Sequence, residues 1–495
     1  MPSPHPSGPG SDLFLGIDLG TSELKTLLLD EQGRVLRGAS APLSLQQARP
    51  GWSEQDPRAW WQACVDCLDR LCADGFGARV RSIGLSGQMH GAVLLDAARE
   101  LIRPAMLWND TRSEPQCEQL RQGLDGFEGL AGNLAMPGFT APKLLWLRQH
   151  AARDFERVDL VLLPKDYLRL MLSGEAATDA SDASGTLWLD IGRRDWSPAL
   201  VQAGGMRMEQ LPAVLEASAP AGTLRRELAR RWSMPAGVVI AAGAGDNAAA
   251  AVGTGATAPG QGFVSLGTSG VVFVATDRYE PDPSSALHSF CHALPRTWHQ
   301  MSVMLSAAEC LRWVTRLSGQ PDEAHALAGA ARLDETQRAG APLFLPYLGG
   351  ERTPHNDARA RALFHGLGHE HDAAALAWSV IEGVSFGLRD GLSCMPATLR
   401  ERVGVLDLVG GGARSELWAQ LLADVLETPL RVRADAAGGA AVGAARLGAL
   451  AAGLPRDQVL RAPGGAERMF EPDPARRELL RERHARFRAL YAACR

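Results

Sequence analysis

Lysine is nearly missing from this 495-residue chain: it occurs three times, as Lys25, Lys143 and Lys165, and arginine supplies almost all the positive charge. No Gly-Lys-Ser or Gly-Lys-Thr exists, which excludes a Walker-A loop with its phosphate-binding lysine. No run of five basic residues occurs, and a net charge of −5 with well-mixed signs argues against a nucleic-acid binder. Long membrane-spanning apolar runs are missing too. The uncharged stretch from Asn247 to Thr276 is broken by glycines, hydroxyls and Pro259, so it forms no membrane helix. The eight cysteines are too sparse for a disulfide framework, and Cys64-x-x-Cys67 has no second pair to complete a zinc site; packed thiols in a reducing cytosol are expected. Residues 1–12 lack the basic and apolar regions of a signal peptide and read as a disordered leader. The expectation is a soluble cytoplasmic protein without nucleic-acid or membrane partners. Its length calls for two domains.

The segment Val238–Thr276 organises the rest. It reads as a strand, an acidic turn, an Ala/Gly-rich helix and a β-hairpin whose turn is Gly267-Thr268-Ser269-Gly270. Asp246 is the only charge between Arg231 and Asp277. A lone carboxylate in such surroundings is a helix cap or a chemical group, and the two roles are compatible. The hairpin has a counterpart in Leu13–Leu29, where strand, Gly20-Thr21-Ser22 turn and strand recur; Gly20 and Gly267 stand 247 residues apart, half the chain. Two related α/β domains, 13–257 and 258–495, are expected to face one central cleft, each offering a turn. Glycine turns with hydroxyl neighbours let backbone N–H groups approach an anion, so the pair suits a polyphosphate clamp.

Asp18 lies in the first strand just before its turn, placed to hold the water shell of Mg²⁺; its plain alternative is a buried acid bonded to backbone. Glu23 would repel phosphate and is expected to face solvent or Lys25. Gly87-Gln88-Met89-His90-Gly91 links two strands and offers an amide, a thioether and an imidazole to a polyol. Trp108-Asn-Asp-Thr-Arg112 adds further donors, although Asp110 and Arg112 could pair only with each other. Residues 124–235 read as largely helical. His288, His292 and His299 lack ligand-type spacing and suit packing. Near the C-terminus, Gly410-Gly411-Gly412-Ala413 follows a strand and Asp435 ends the next. This imitates a dinucleotide site, but Ser415 replaces the third glycine, so a bare adenosine site is the more economical reading.

These motifs resemble the FGGY carbohydrate kinases, and within them the D-xylulose kinases, from Phe14 to about Tyr491. The matching stretches include Gly16-Ile-Asp-Leu-Gly-Thr-Ser, Trp52-Ser-Glu-Gln-Asp-Pro, Gly87-Gln-Met-His-Gly, Gly138-Phe-Thr-Ala-Pro-Lys, Leu163-Pro-Lys-Asp-Tyr, Gly245-Asp-Asn-Ala, His288-Ser-Phe-Cys-His and Gly410-Gly-Gly-Ala-Arg-Ser. The resemblance implies two ribonuclease H-like (actin-like ATPase) domains, with a sugar pocket mainly in the first and ATP mainly on the second. It implies ATP-dependent phosphorylation of D-xylulose to its 5-phosphate. Asp246 becomes the general base, and Asp18 with Asp246 the Mg²⁺-site acids. Gln88, Met89, His90, Trp108 and Asn247 become sugar contacts; Thr21, Ser22, Gly267, Thr268, Gly411, Gly412 and Ala413 become nucleotide contacts. Another ketose or polyol, an actin-like ATPase module and a dehydrogenase built on Gly410 are the alternatives, and a homodimer is left open.

Overall fold

The computed structural model describes residues 12–433, 439–461 and 466–494; the leader residues 1–11, Asp435 and Gly438 lie outside the described residues. The chain divides into two compact units. The first comprises residues 1–257, 290–298 and 438–463, and the second comprises 258–289, 299–437 and 464–495.

In the first unit, strand Leu13–Leu19 pairs antiparallel with Glu23–Asp30, which pairs antiparallel with Val35–Pro42. Its other edge runs parallel to Val80–Gly87, which pairs in parallel with Val239–Ala241 and then with Ala244–Gly245. Leu13, Leu15, Ile17 and Leu19 share a core with Trp60, Cys64 and Leu68 of helix Pro57–Leu71. Phe14, one residue out of phase, packs with Ala441 and Ala445 of helix Gly439–Ala451. A two-residue period with apolar residues on both phases is what a strand covered on both faces requires. The second helix comes so close that a Cβ on Gly16 or Gly84 would lie 2.0 Å from the Ala441 carbonyl oxygen or 1.7 Å from that of Ala444. It follows the second sheet's strands in sequence yet completes the first unit. Helix Pro57–Leu71 starts as read, with the Asp56 carboxylate accepting from Arg58 N–H and Pro57 in the first turn.

The second unit repeats the pattern. Strand Gly262–Leu266 pairs antiparallel with Gly270–Thr276 and parallel with Leu406–Val409, which is parallel to Leu430–Arg433. The sheet continues through residues 299–304 on one side and Glu467–Phe470 on the other. Helix Ala373–Ser393 buries Trp378, Ile381 and Val384 in its core. A meander whose first strand pairs in parallel with a fourth strand and, through it, a fifth is the ribonuclease H-like arrangement, and both units have it.

Residues 124–235 are less helical than their pattern predicts. They include short ladders, Ala177–Asp179 with Ala213–Leu215 and Leu189–Asp190 with Asp195–Trp196, because periodicity cannot separate short apolar strands from helix turns. Among the described residues no helix is long and apolar enough to cross a membrane.

Candidate active site

Three parallel strands of the first unit end level with one another: Leu19 is in register with Gly87, and Gly87 with Gly245. Their carboxyl ends therefore bring Gly20-Thr21-Ser22, Gln88-Met89-His90 and Asp246-Asn247 together, as expected where parallel strands of an open sheet stop. Asp246 begins helix Asp246–Thr254, whose cap position is held by Gly245, so the carboxylate is a first-turn residue and not the cap itself. Its Oδ1 accepts from the Asn247 backbone N–H at 2.7 Å and from Asn247 Nδ2 at 2.9 Å. A Cβ on Gly245 would stand 2.9 Å from Met89 Cγ; only glycine leaves Met89 its place beside the aspartate.

His90 sits in the left-handed region at φ 70°. Its Nδ1 lies 2.7 Å from the Gly185 carbonyl oxygen, which can only accept, so Nδ1 carries a proton, and Nε2 is the acceptor nitrogen when the ring is neutral. The ring packs at 4.4 Å from Phe139 and 6.3 Å from Phe290. Thr21 Oγ1 donates to Gln88 Oε1 at 3.0 Å and accepts from Trp108 Nε1 at 2.9 Å. Gln88 Nε2 in turn donates to Gln55 Oε1. Gln88 and the Thr21 hydroxyl thus brace the first turn, while Trp108 is 40% exposed and offers its ring face. Ser22 is exposed. Glu23 turns away from the turn to pair with Lys25 at 2.8 Å. Arg112 grips Asp110 through Nε and Nη2, so that pair is structural.

In the second unit, Gly267-Thr268 and Gly411–Ala413 follow two adjacent parallel strands and meet at their carboxyl ends. The carbonyls of Thr268 and Gly267 accept the N–H groups of Ala307 and Ala308 at 2.8 Å each, which fixes the turn to the start of helix Ala308–Leu317. Thr268 and Gly411 are exposed, whereas Gly412 and Ala413 are buried. Gly410 adopts φ 93° against the Leu266 backbone.

The model of the FGGY family of carbohydrate kinases matches this sequence with its N-terminal domain over residues 13–253 and its C-terminal domain over residues 262–452. The chain belongs to that family. The FGGY kinase is 46% identical to the xylulose kinase of Escherichia coli strain K12, covering 97% of this chain and 98% of that one. Its fold is similar to that of a xyloylose kinase from Brucella ovis, at TM-score 0.92 and 46% identity over 97% and 99% of the two chains. It is also similar to a xylulose kinase from Rhodospirillum rubrum, at TM-score 0.89 and 27% identity over 97% and 98%.

The electrostatics of this FGGY kinase are dominated by two acids. Burial, then the charge of Asp18, pushes the Asp246 carboxyl up to about 6, against the opposing hydrogen bonds from Asn247. Burial raises Asp18 as well, and its Oδ1 is covered without a hydrogen-bond partner. Two like charges with an unsatisfied hard oxygen fit a divalent cation that completes its shell with water and phosphate. Among the described residues no set of three or more His, Cys, Asp or Glu could cage a metal alone. His288, His292 and His299 belong to no such set.

Lys143 went unassigned in the sequence. It is fully buried, and its Nζ donates to the carbonyls of His90 at 2.8 Å and Gly138 at 2.7 Å. Burial pulls it down to about 7. Thr140 Oγ1 shares the His90 carbonyl, so the backbone of the imidazole is tethered twice. The available signal was a lysine in an apolar helix of a chain that otherwise uses arginine.

Proposed function

We propose that this FGGY kinase transfers the γ-phosphoryl group of ATP to D-xylulose, giving D-xylulose 5-phosphate and ADP. The observation that carries the sugar assignment is 46% identity to a xylulose kinase across 97% of the chain. The site supplies the chemistry. His90, with Nε2 as acceptor, Met89 and Asn247 bind and orient the ketose, and Trp108 gives its ring to the pocket. Asp246 accepts the proton of the C5 hydroxyl as its oxygen bonds to phosphorus and the bond to the ADP oxygen breaks. A carboxylate suffices because the phosphoryl transition state is loose and the proton leaves late. Gly267 and Thr268, with Gly411–Ala413, hold the nucleotide, and Thr21 and Ser22 offer the first unit's turn to phosphate. Asp18 and Asp246 would hold Mg²⁺, which when bound neutralises phosphate charge.

The test is a panel of pentuloses, hexuloses, pentitols and glycerol assayed for ADP release with ATP. D-Xylulose should show the highest kcat/KM, and turnover without sugar should be slow. A higher kcat/KM for another ketose or a polyol would reassign the substrate. Sugar-independent ATP turnover at the full rate would replace the kinase with an ATPase module.

A further inference from the structure

Ala242-Gly243-Ala244-Gly245, the segment that delivers Asp246, has no side chain larger than a methyl group. Its backbone is tied down by Ala242 N–H to the Ala219 carbonyl at 2.9 Å, Gly243 N–H to the Ala217 carbonyl at 3.0 Å and the pairing of Ala244–Gly245 with Ser86–Gly87, and Gly243 takes φ 79°. Its two ends are also held by polar side chains from elsewhere in the first unit. Arg169 Nη1 donates to the Ala242 carbonyl at 2.6 Å, and the Gly245 N–H donates to Ser181 Oγ at 3.2 Å. The Ser181 hydroxyl donates to Asp179 Oδ2 at 2.5 Å. Behind these stands Lys165, from the Leu163-Pro-Lys-Asp-Tyr stretch, with Nζ at 2.6 Å from Asp166, 2.9 Å from Asp179 and 3.1 Å from Asp182. Asp166 also pairs with Arg169 at 2.9 Å.

Lys165, Asp166, Arg169, Asp179 and Asp182 are all fully buried. Buried ion pairs stabilise a fold poorly compared with apolar side chains of the same volume, and their best-attested use is to specify one conformation. Burial raises Asp182 well above the ordinary carboxylate range.

We propose that Ser181 and Arg169 are positioning residues for the phosphoryl-transfer step: they clamp both ends of Ala242–Gly245 and so aim the Asp246 carboxylate, while Asp179, Lys165 and Asp166 hold the clamp. This rests on Asp246 being the general base. A base displaced by a fraction of an ångström loses rate without losing substrate affinity.

The experiment uses Ser181→Ala, which removes one oxygen and adds no bulk. Its kcat should fall roughly ten-fold with both KM values within about two-fold of wild type. Ser379→Ala serves as the control: that hydroxyl is also buried, but it bonds only within its own helix, to Ala375 O. It should lower the melting temperature and leave kcat unchanged. Combined with Asp246→Asn, Ser181→Ala should cost no further rate, since a positioning residue has nothing left to position. Should the alanine variant melt too low to assay, Ser181→Cys, a weak acceptor, should show the same loss. Wild-type kcat in Ser181→Ala, or an equal loss in the Asp246→Asn background, would overturn the inference. Near-normal turnover by Asp246→Asn itself would instead overturn the general-base assignment beneath it.

Discussion

Replacing Asp246 with asparagine should make the ligand-free protein more stable at neutral pH. The Asp246 carboxyl is held at about 6, against 3.8 for a free aspartate. A group whose folded value is raised contributes stability that is full below the unfolded value and is lost as pH rises through the folded one. Ionising Asp246 in the fold therefore costs up to about 3 kcal/mol, since each pH unit by which a carboxyl is raised is worth about 1.36 kcal/mol. The cost develops between about pH 4 and pH 7. Asp246→Asn keeps the shape and an acceptor for the Asn247 N–H while removing the charge and its repulsion with Asp18. Melting curves of wild type and variant, without sugar or nucleotide, should coincide near pH 4 and separate by several degrees above pH 7, the variant being higher. Other titrating groups, such as Glu351, which burial raises to about 7, are common to both proteins and cancel in the difference. A pH-independent difference, or a variant that melts lower at pH 8, would refute the claim that burial and the neighbouring Asp18 make the ionised Asp246 costly to the ligand-free fold.

Three further outcomes follow from the site. His90→Ala should raise the KM for D-xylulose by the loss of one sugar contact, about 1–3 kcal/mol, and leave the KM for ATP nearly unchanged; steady-state kinetics with each substrate varied would place His90 outside the sugar site if both constants moved together. Thr268→Val should weaken ATP binding more than sugar binding in calorimetric titrations, and the reverse order would remove Thr268 from the nucleotide contacts. Because the base works ionised, kcat/KM for the sugar should fall as pH drops through about 6, the value for Asp246 in the free enzyme. A flat profile down to pH 5 would mean that another group takes the proton.

Much of this arrangement was legible before the fold was known, for physical reasons that differ from element to element. The two Gly-Thr-Ser turns announced a repeated hairpin because a glycine turn between apolar runs has few other uses, and the two sheets repeat beyond it. Asp246 stood out because no other charge lies between Arg231 and Asp277 in the sequence. Glu23 pointed away from the turn, to Lys25, as electrostatics demanded. Other features were hidden because they depend on contacts between distant segments. Nothing local says that Gly439–Ala451 packs on Leu13–Leu19 and Val80–Gly87; its small residues say only that something comes close. Thr21 looked like a free phosphate donor, yet its hydroxyl is engaged by Gln88 and Trp108, a network visible only once three strand ends are level. The buried amines show what was overlooked: two of the three lysines, Lys143 and Lys165, are fully buried beneath the site. In so arginine-rich a chain, each lysine in an apolar stretch marked a place where a compact ammonium bonding several oxygens was needed.

The central claim is that Asp246 takes the proton of the sugar hydroxyl during phosphoryl transfer, and its most direct test is ADP formation by Asp246→Asn with saturating ATP and D-xylulose. The variant should fold and bind both substrates, with kcat lower by about 10²- to 10⁴-fold, the usual worth of a general base. A folded variant turning over at close to the wild-type rate would contradict it.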